Sequence, residues 1–232
     1  MVTKFHDSVL GEIIIKRHPW ASSVSVKMSV RGEIIATTGK STPIILIKHI
    51  IRSKRREIED MRQRSDNPSY LNSQAIGKSH RLEIVIQPEA ARPVVETKNR
   101  VISVQLNDID EINNQSLQIK IQDEVIKAHR REAKAYLPRR LSLLARRHGY
   151  QYQRTRLTHA STRWGSCSSN GTISLNIALM KLPLELIDYV LIHELCHSAE
   201  MNHSTKFWQL VAAANPDYSL YRRQLKNYSP SL

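Results

Sequence analysis

The residues with the clearest chemistry are His193-Glu194-Leu195-Cys196-His197, followed by Asn202-His203. In a helix, side chains four apart share one face, about one turn from each other. Two imidazoles at that spacing can grip one metal ion. A glutamate next to the first can take a proton from water on that ion. This pattern predicts a zinc hydrolase and, within that class, points first to a peptidase.

His203 needs a separate argument. It follows His197 by about 600° of helical rotation, which leaves it about 120° off the metal face. It reaches the ion only if the helix stops first. Met201-Asn202 offers the stop, because asparagine tolerates the left-handed conformation past a helix end. Ser204 then reads as the N-cap of a new helix from Thr205 to Ala214. The expected set is His193, His197 and His203 around Zn2+, with about 2.0–2.1 Å per Zn–N contact and one position open to water. Glu194, about 100° round the helix, is the expected catalytic acid/base. Glu200 shares the metal-facing side. Its carboxylate could orient an imidazole N–H, replace His203 as ligand, or lie in solvent. Tyr218, Tyr221 and Arg163 are the candidates for stabilising an oxyanion.

These side chains must be positioned by the elements around them. Pro183 opens the metal helix, with Leu184, Ile187, Val190, Leu191 and Leu195 as its apolar stripe. Before it, Asn170-Gly171 marks a hairpin-like turn leading into a strand over 171–176. That strand is expected at the rim where an extended peptide docks by strand addition, with Ser174 and Asn176 contacting substrate. A helix is predicted over 122–148, with a kink or break at Pro138 and a stop at Gly149. Residues 152–157 read as a strand. Nearer the N-terminus, residues 9–38 predict two antiparallel strands around an Arg31-Gly32 turn. Thr42-Pro43 starts a helix expected to reach Arg64, ended by Ser65-Asp66-Asn67-Pro68-Ser69. Residues 74–121 look β-rich, and no sequence repeat is visible. The resulting class is α+β: a strand-rich domain with one helix over 1–115, and a mostly helical domain over 116–232.

Bulk properties narrow the setting. A chain of 232 residues is long enough for a real core. The apolar run Pro43-Ile44-Ile45-Leu46-Ile47 is broken by Lys48, far short of the roughly 20 residues of a membrane span. Charges at Lys4, Asp7, Glu12 and Lys16 leave no signal-peptide run, so a cytoplasmic protein is expected. Cys167 and Cys196 make neither a disulfide framework nor a zinc knuckle. Cys196 is expected to be a core residue behind the metal helix. The net charge is +14 and the pI about 10.0. Basic residues crowd 120–160, opposed there only by Asp123, Glu124 and Glu132, and recur from Arg52 to Arg64. This fits a solvated helix face or a nucleic-acid or other polyanion partner. No phosphate-cradling G-x-x-x-x-G-K-[ST] loop and no nucleic-acid-binding motif accompanies it.

Arg163-Trp164-Gly165-Ser166-Cys167-Ser168, Ser174-Leu175-Asn176, the helix from Asp188 through His197, Asn202-His203-Ser204 and Phe207-Trp208 together resemble the YgjP-type metal-dependent hydrolases. These are grouped with WLM and SprT-like zincin peptidases. The likeness is dense over about 125–228. It implies a zincin-like C-terminal domain, His193, His197 and His203 as zinc ligands, Glu194 as acid/base and a peptide or protein substrate. It also admits two alternatives: a nucleotide (NTP) pyrophosphatase-type hydrolase, and a nucleic-acid-associated SprT-like protease. The metzincin pattern wants glycine where this chain has Glu200.

Overall fold

The computed structural model describes residues 2–21, 23–28, 34–59, 70, 72–89 and 92–232. Contacts divide the chain into two compact units, Met1–Tyr70 with Asp108–Ile119, and Leu71–Asn107 with Lys120–Leu232. Both mix helices and strands.

In the first unit, alternating apolar residues build a sheet of β1 (Val2–Asp7), β2 (Gly11–His18), β3 (Ser25–Met28) and β4 (Ile34–Gly39), in the order β1-β2-β4-β3. Ile13, Ile15, Ile34 and Ala36 point to one face and are covered by Ile47 and Ile51 of helix α1 (Ile44–Ser53) and by Ile58. The two antiparallel strands expected over 9–38 are therefore more numerous, and the central pair β2–β4 is parallel, with Ile13 opposite Ile34. Arg31-Gly32 lies outside the described residues. Pro43 itself holds the N-cap of α1 with no side-chain cap bond, so Thr42 does not cap it. Helical residues resume over 55–59. The expected end, Ser65 to Ser69, also falls outside the described residues.

The second unit contains β5 (Gln74–Ile76), β6 (His80–Ile86), β7 (Val94–Lys98) and β8 (Val101–Leu106), in the order β5-β6-β8-β7. Its outer pairs are antiparallel and its central pair parallel, the same scheme as the first sheet. The chain thus repeats a four-strand topology that its residues do not advertise.

Helix α2 runs unbroken from Gln115 to His148, with Pro138 inside it. It starts earlier than expected because Asn114 caps it, accepting the Ser116 N–H at 2.9 Å. Pro138 removes one backbone donor. Burial of Ala133, Leu137, Leu141, Leu144 and Ala145 in the main core offsets that loss. One face of α2 is also tied to the β5–β6 turn. The Glu132 carboxylate accepts from Lys78 N at 2.6 Å, Ser79 N at 2.8 Å and His80 Nδ1 at 2.6 Å.

A three-stranded sheet follows, ordered β10-β11-β9, from β9 (Arg154–Thr158), β10 (Gly165–Cys167) and β11 (Thr172–Asn176). Gly171 turns β10 into β11 with φ +72°, a conformation that suits glycine. Helices α3 (Leu184–Cys196), α4 (Thr205–Ala214) and α5 (Tyr218–Leu225) complete the unit. Their apolar faces join α2 and β11 in one core.

Candidate metal centre

Pro183 precedes α3, where its missing N–H is harmless. Ile187, Val190, Leu191 and Leu195 are buried as the stripe predicts, while Leu184 is half exposed. The helix ends with His197 as C-cap, earlier than Met201-Asn202. Ser198 and Ala199 close the last turn on the Leu195 and Cys196 carbonyls. His197 Nδ1 then donates to the Glu200 carbonyl at 3.1 Å, which fixes the turn and the ring together. Ser204 restarts the helix, accepting the Phe207 N–H at 3.3 Å, with α4 spanning Thr205–Ala214 as expected.

The stop and restart bring the three histidines together. Ring centroids lie 5.0 Å apart for His193–His197, 5.1 Å for His193–His203 and 4.7 Å for His197–His203. One nitrogen from each falls within 4.8 Å of the others. His193 Nε2 and His203 Nε2 are 3.1 Å apart. Two nitrogens on a tetrahedral ion, with bonds of about 2.0–2.1 Å, sit about 3.3 Å apart. Because His197 Nδ1 is engaged as a donor, its Nε2 keeps a lone pair for a ligand. Burial pushes the His193 pKa down to about 3, helped by the neighbouring imidazoles. Burial also lowers His197. Neutral rings are the form a metal needs. The donor set fits a metal ion.

Aromatic rings hold the histidines in place. Phe207, fully buried, stacks under His197 at 4.4 Å and meets His193 and His203 edge-on. Trp208 stacks on His203 at 5.7 Å.

Glu194 shares a cavity with His193 and lies against β10. Its side chain is buried, and Oε2 has no hydrogen-bond partner among the described residues. Burial raises its pKa to about 8, with Arg163 pulling the other way. The carboxylate lies against Gly165 of β10, where an added Cβ would come within 2.7 Å of Oε1. A cavity of about 160 Å³ opens here between Trp164, Gly165, Tyr189, His193, Glu194 and Leu225. Across the site, His197 lines a polar hollow of about 420 Å³ with Gln151, Gln153, Ser168 and Asn170.

Other sequence candidates fall as follows. Asn176 is wholly buried, and its amide donates to the carbonyls of Ala160 at 2.7 Å, Arg163 at 2.9 Å and Pro230 at 2.9 Å. Its Oδ1 accepts the Ala178 N–H, so no polar atom is left to meet a substrate. Ser174 is half-buried on β11, opposite Ser166 of β10 and Arg156 of β9. Since β11 is the middle strand, it has no edge for an added peptide; β10 is the edge strand beside Glu194. Glu200 reaches the site through its backbone carbonyl, and its carboxylate lies 3.8 Å from Lys206 Nζ. Tyr218 stacks on Trp208 at 5.6 Å and Tyr221 packs on Tyr189 at 6.5 Å. Cys196 is buried behind the helix, donating to Tyr150 Oη at 3.2 Å. Leu225 was not singled out from the sequence, and Gly165 and Phe207 entered only within the family resemblance, with no role assigned. Gly165 carried a weak signal, as a residue without a side chain directly after the bulky Arg163-Trp164.

A family model described as YgjP-like, metallopeptidase domain, matches residues 22–228. Among solved structures, the metallopeptidase zymogen of Pyrococcus abyssi abylysin is 28% identical, over 39% of this chain and 92% of that chain, with a TM-score of 0.36. No curated protein matches the chain. Nearly the whole chain lies within the family match, so it belongs to the YgjP-like metallopeptidases and is a metal-dependent hydrolase of peptide bonds.

Proposed function

We propose that the metal is zinc, that His193, His197 and His203 hold it through Nε2, and that the enzyme works in the cytosol. The observation that carries this reading is the convergence of three imidazoles beside one buried glutamate. Three nitrogen donors without a carboxylate suit zinc; magnesium and calcium favour oxygen. The machinery sits in residues 116–232, a zincin-like catalytic part; of the strand-rich 1–115, residues 71–107 belong to the same compact unit. Two free thiols, Cys167 and Cys196, fit a reducing compartment. No helix among the described residues is long and apolar enough to cross a membrane.

When bound, zinc lowers the pKa of water toward about 7 and polarises the scissile carbonyl. Glu194 accepts the proton of the attacking water and delivers it to the leaving amine. Its buried, unpartnered Oε2 makes it a strong base once the site is charged. The substrate chain adds to the open edge of β10, which brings its carbonyl alongside Glu194. Ser174 lies one strand further in and acts through β10. Glu200 orients the His197 ring with its carbonyl.

The test is a zinc-loaded preparation assayed on casein and on nucleoside triphosphates, beside Glu194→Gln. Peptide cleavage should fall by about 10²–10⁴-fold in the variant while zinc content stays constant. Nucleotide hydrolysis without any peptide cleavage would overturn the reading. A nucleic-acid contact is a second reading, favoured by the exposed stripe Arg130, Arg131 and Lys134 on α2. It calls for salt-sensitive DNA binding that persists in Glu194→Gln.

A further inference from the structure

Helix α5 turns two faces to its surroundings. Leu225 walls the cavity beside Glu194. On the adjoining face, Tyr218, Ser219, Arg222, Arg223 and Lys226 line a separate groove of about 400 Å³. The lining offers three cations and two hydroxyls and no carboxylate. Asp217, the nearest acid in sequence, sits at the N-cap of α5 and does not line the groove. None of the three cations makes an ion pair among the described residues.

The groove is joined to the metal centre by stacked rings. The Arg222 guanidinium carbon lies 4.5 Å from the centre of the Trp208 ring. Trp208 lies nearly parallel to His203, with centroids 5.7 Å apart, and nearly parallel to Tyr218 at 5.6 Å. Arg222 is thus one aromatic ring away from a histidine of the triad. Its charge is felt at His193 and at Tyr189, both of which line the catalytic cavity. A guanidinium held over an indole by its charge still has N–H groups to offer a planar carboxylate.

We propose that this groove is a substrate subsite for a carboxylate, so that the enzyme selects peptides bearing an acidic group a few residues from the scissile bond. The inference rests on the peptidase reading. A volume of about 400 Å³ takes one or two side chains rather than a nucleic-acid backbone. It also opens on the helix that walls the cavity, so its occupant is the chain being cut.

The experiment uses the zinc-loaded full chain and fluorogenic peptides that differ only by Glu or Gln, scanned along both sides of the scissile bond. Each is made with a free and an amidated C-terminus. The Glu peptide should win at one position by about fivefold in kcat/KM, carried by KM and shrinking with added salt. A preference that follows the free C-terminus instead assigns the same carboxylate subsite to the chain end. Arg222→Gln, and separately the double change Arg223→Glu with Lys226→Glu, should bring the ratio to one or below. Equal rates for both peptides at every position overturn the proposal, as does a preference untouched by charge reversal. If no peptide is cleaved, the peptidase reading falls, and the subsite is judged by binding of the same peptides to Glu194→Gln. Equal affinity for Glu and Gln peptides there overturns it. Tighter binding of a single-stranded DNA of matching length, lost in the double variant, overturns it in favour of nucleic acid.

Discussion

Gly165 and Glu194 are in direct apposition: a Cβ at position 165 would stand 2.7 Å from Oε1, 2.8 Å from Cγ and 2.9 Å from Cδ of Glu194. Glu194 is buried and cannot swing away at no cost. Gly165→Ala must therefore push the carboxylate off its position while leaving the three histidines in place. Peptidase activity should fall by about 10²-fold, with zinc stoichiometry unchanged. Full activity in the alanine variant would show that the carboxylate works from somewhere else.

Glu194 and His193 contribute two opposed limbs to the pH profile of the metal-free chain. The Glu194 pKa is raised from 4.5 to about 8 on folding. Between those values the native state holds a proton that the unfolded chain has released, so stability falls as pH rises. His193 moves from 6.5 down to about 3, so here the unfolded chain holds the extra proton and stability falls as pH drops. Together the limbs place greatest stability between pH 4.5 and 6.5. Urea midpoints recorded in chelator should trace that shape. Glu194→Gln should lose only the upper limb; a variant curve parallel to the wild type would contradict the assignment.

Asn176 binds three carbonyls and the Ala178 N–H from a fully buried position. Asn176→Ala would strand those groups and should cost about 3 kcal/mol of stability. A substrate-contacting side chain would behave oppositely, raising KM with the melting temperature intact. Thermal melts and steady-state kinetics on one preparation separate the two.

Glu200 offers a cleaner test, because its contact with His197 is made by backbone. Glu200→Ala should leave zinc affinity within about twofold of wild type. Loss of a carboxylate that orients a ligand costs about 10–100-fold. Competition titration with a chromogenic chelator measures the difference.

Zinc removal should abolish activity and lower the melting temperature, and restored zinc should raise it in a concentration-dependent way. In His203→Ala the thermal response to zinc should shrink strongly. An unchanged response would exclude His203 from the set.

Local chemistry was readable from the sequence. The histidine spacing, the Ser204 restart and the stripe of α3 all follow from helical periodicity and capping, which act over a few residues. Distant contacts were not. Nothing near Gly165 says that a glutamate from another element will press against it. Strand order is equally silent, because alternation marks a strand without naming its neighbours. Hence β11 was expected at the rim and stands in the middle. Asn176 was expected to face substrate because polarity alone does not distinguish solvent from a buried ring of carbonyls. Pro138 was expected to kink or break α2; it does not break it, because the burial of Leu137 and Leu141 on either side prevails over one missing hydrogen bond.

The triad also has a chronology. His193, His197 and His203 come from one short stretch, ordered by two helices and the turn between them. Each sheet, by contrast, is built around a parallel pair that no hairpin can nucleate: β2–β4, β6–β8 and β9–β11. Local contacts form sooner than distant ones. A metal ion can therefore be captured while the sheets are still assembling, and can steady the chain as they do so. Glu194 is seated later than the histidines, because Gly165 must be brought to it from a separate hairpin. Such a nascent chain would hold its metal before it could cut.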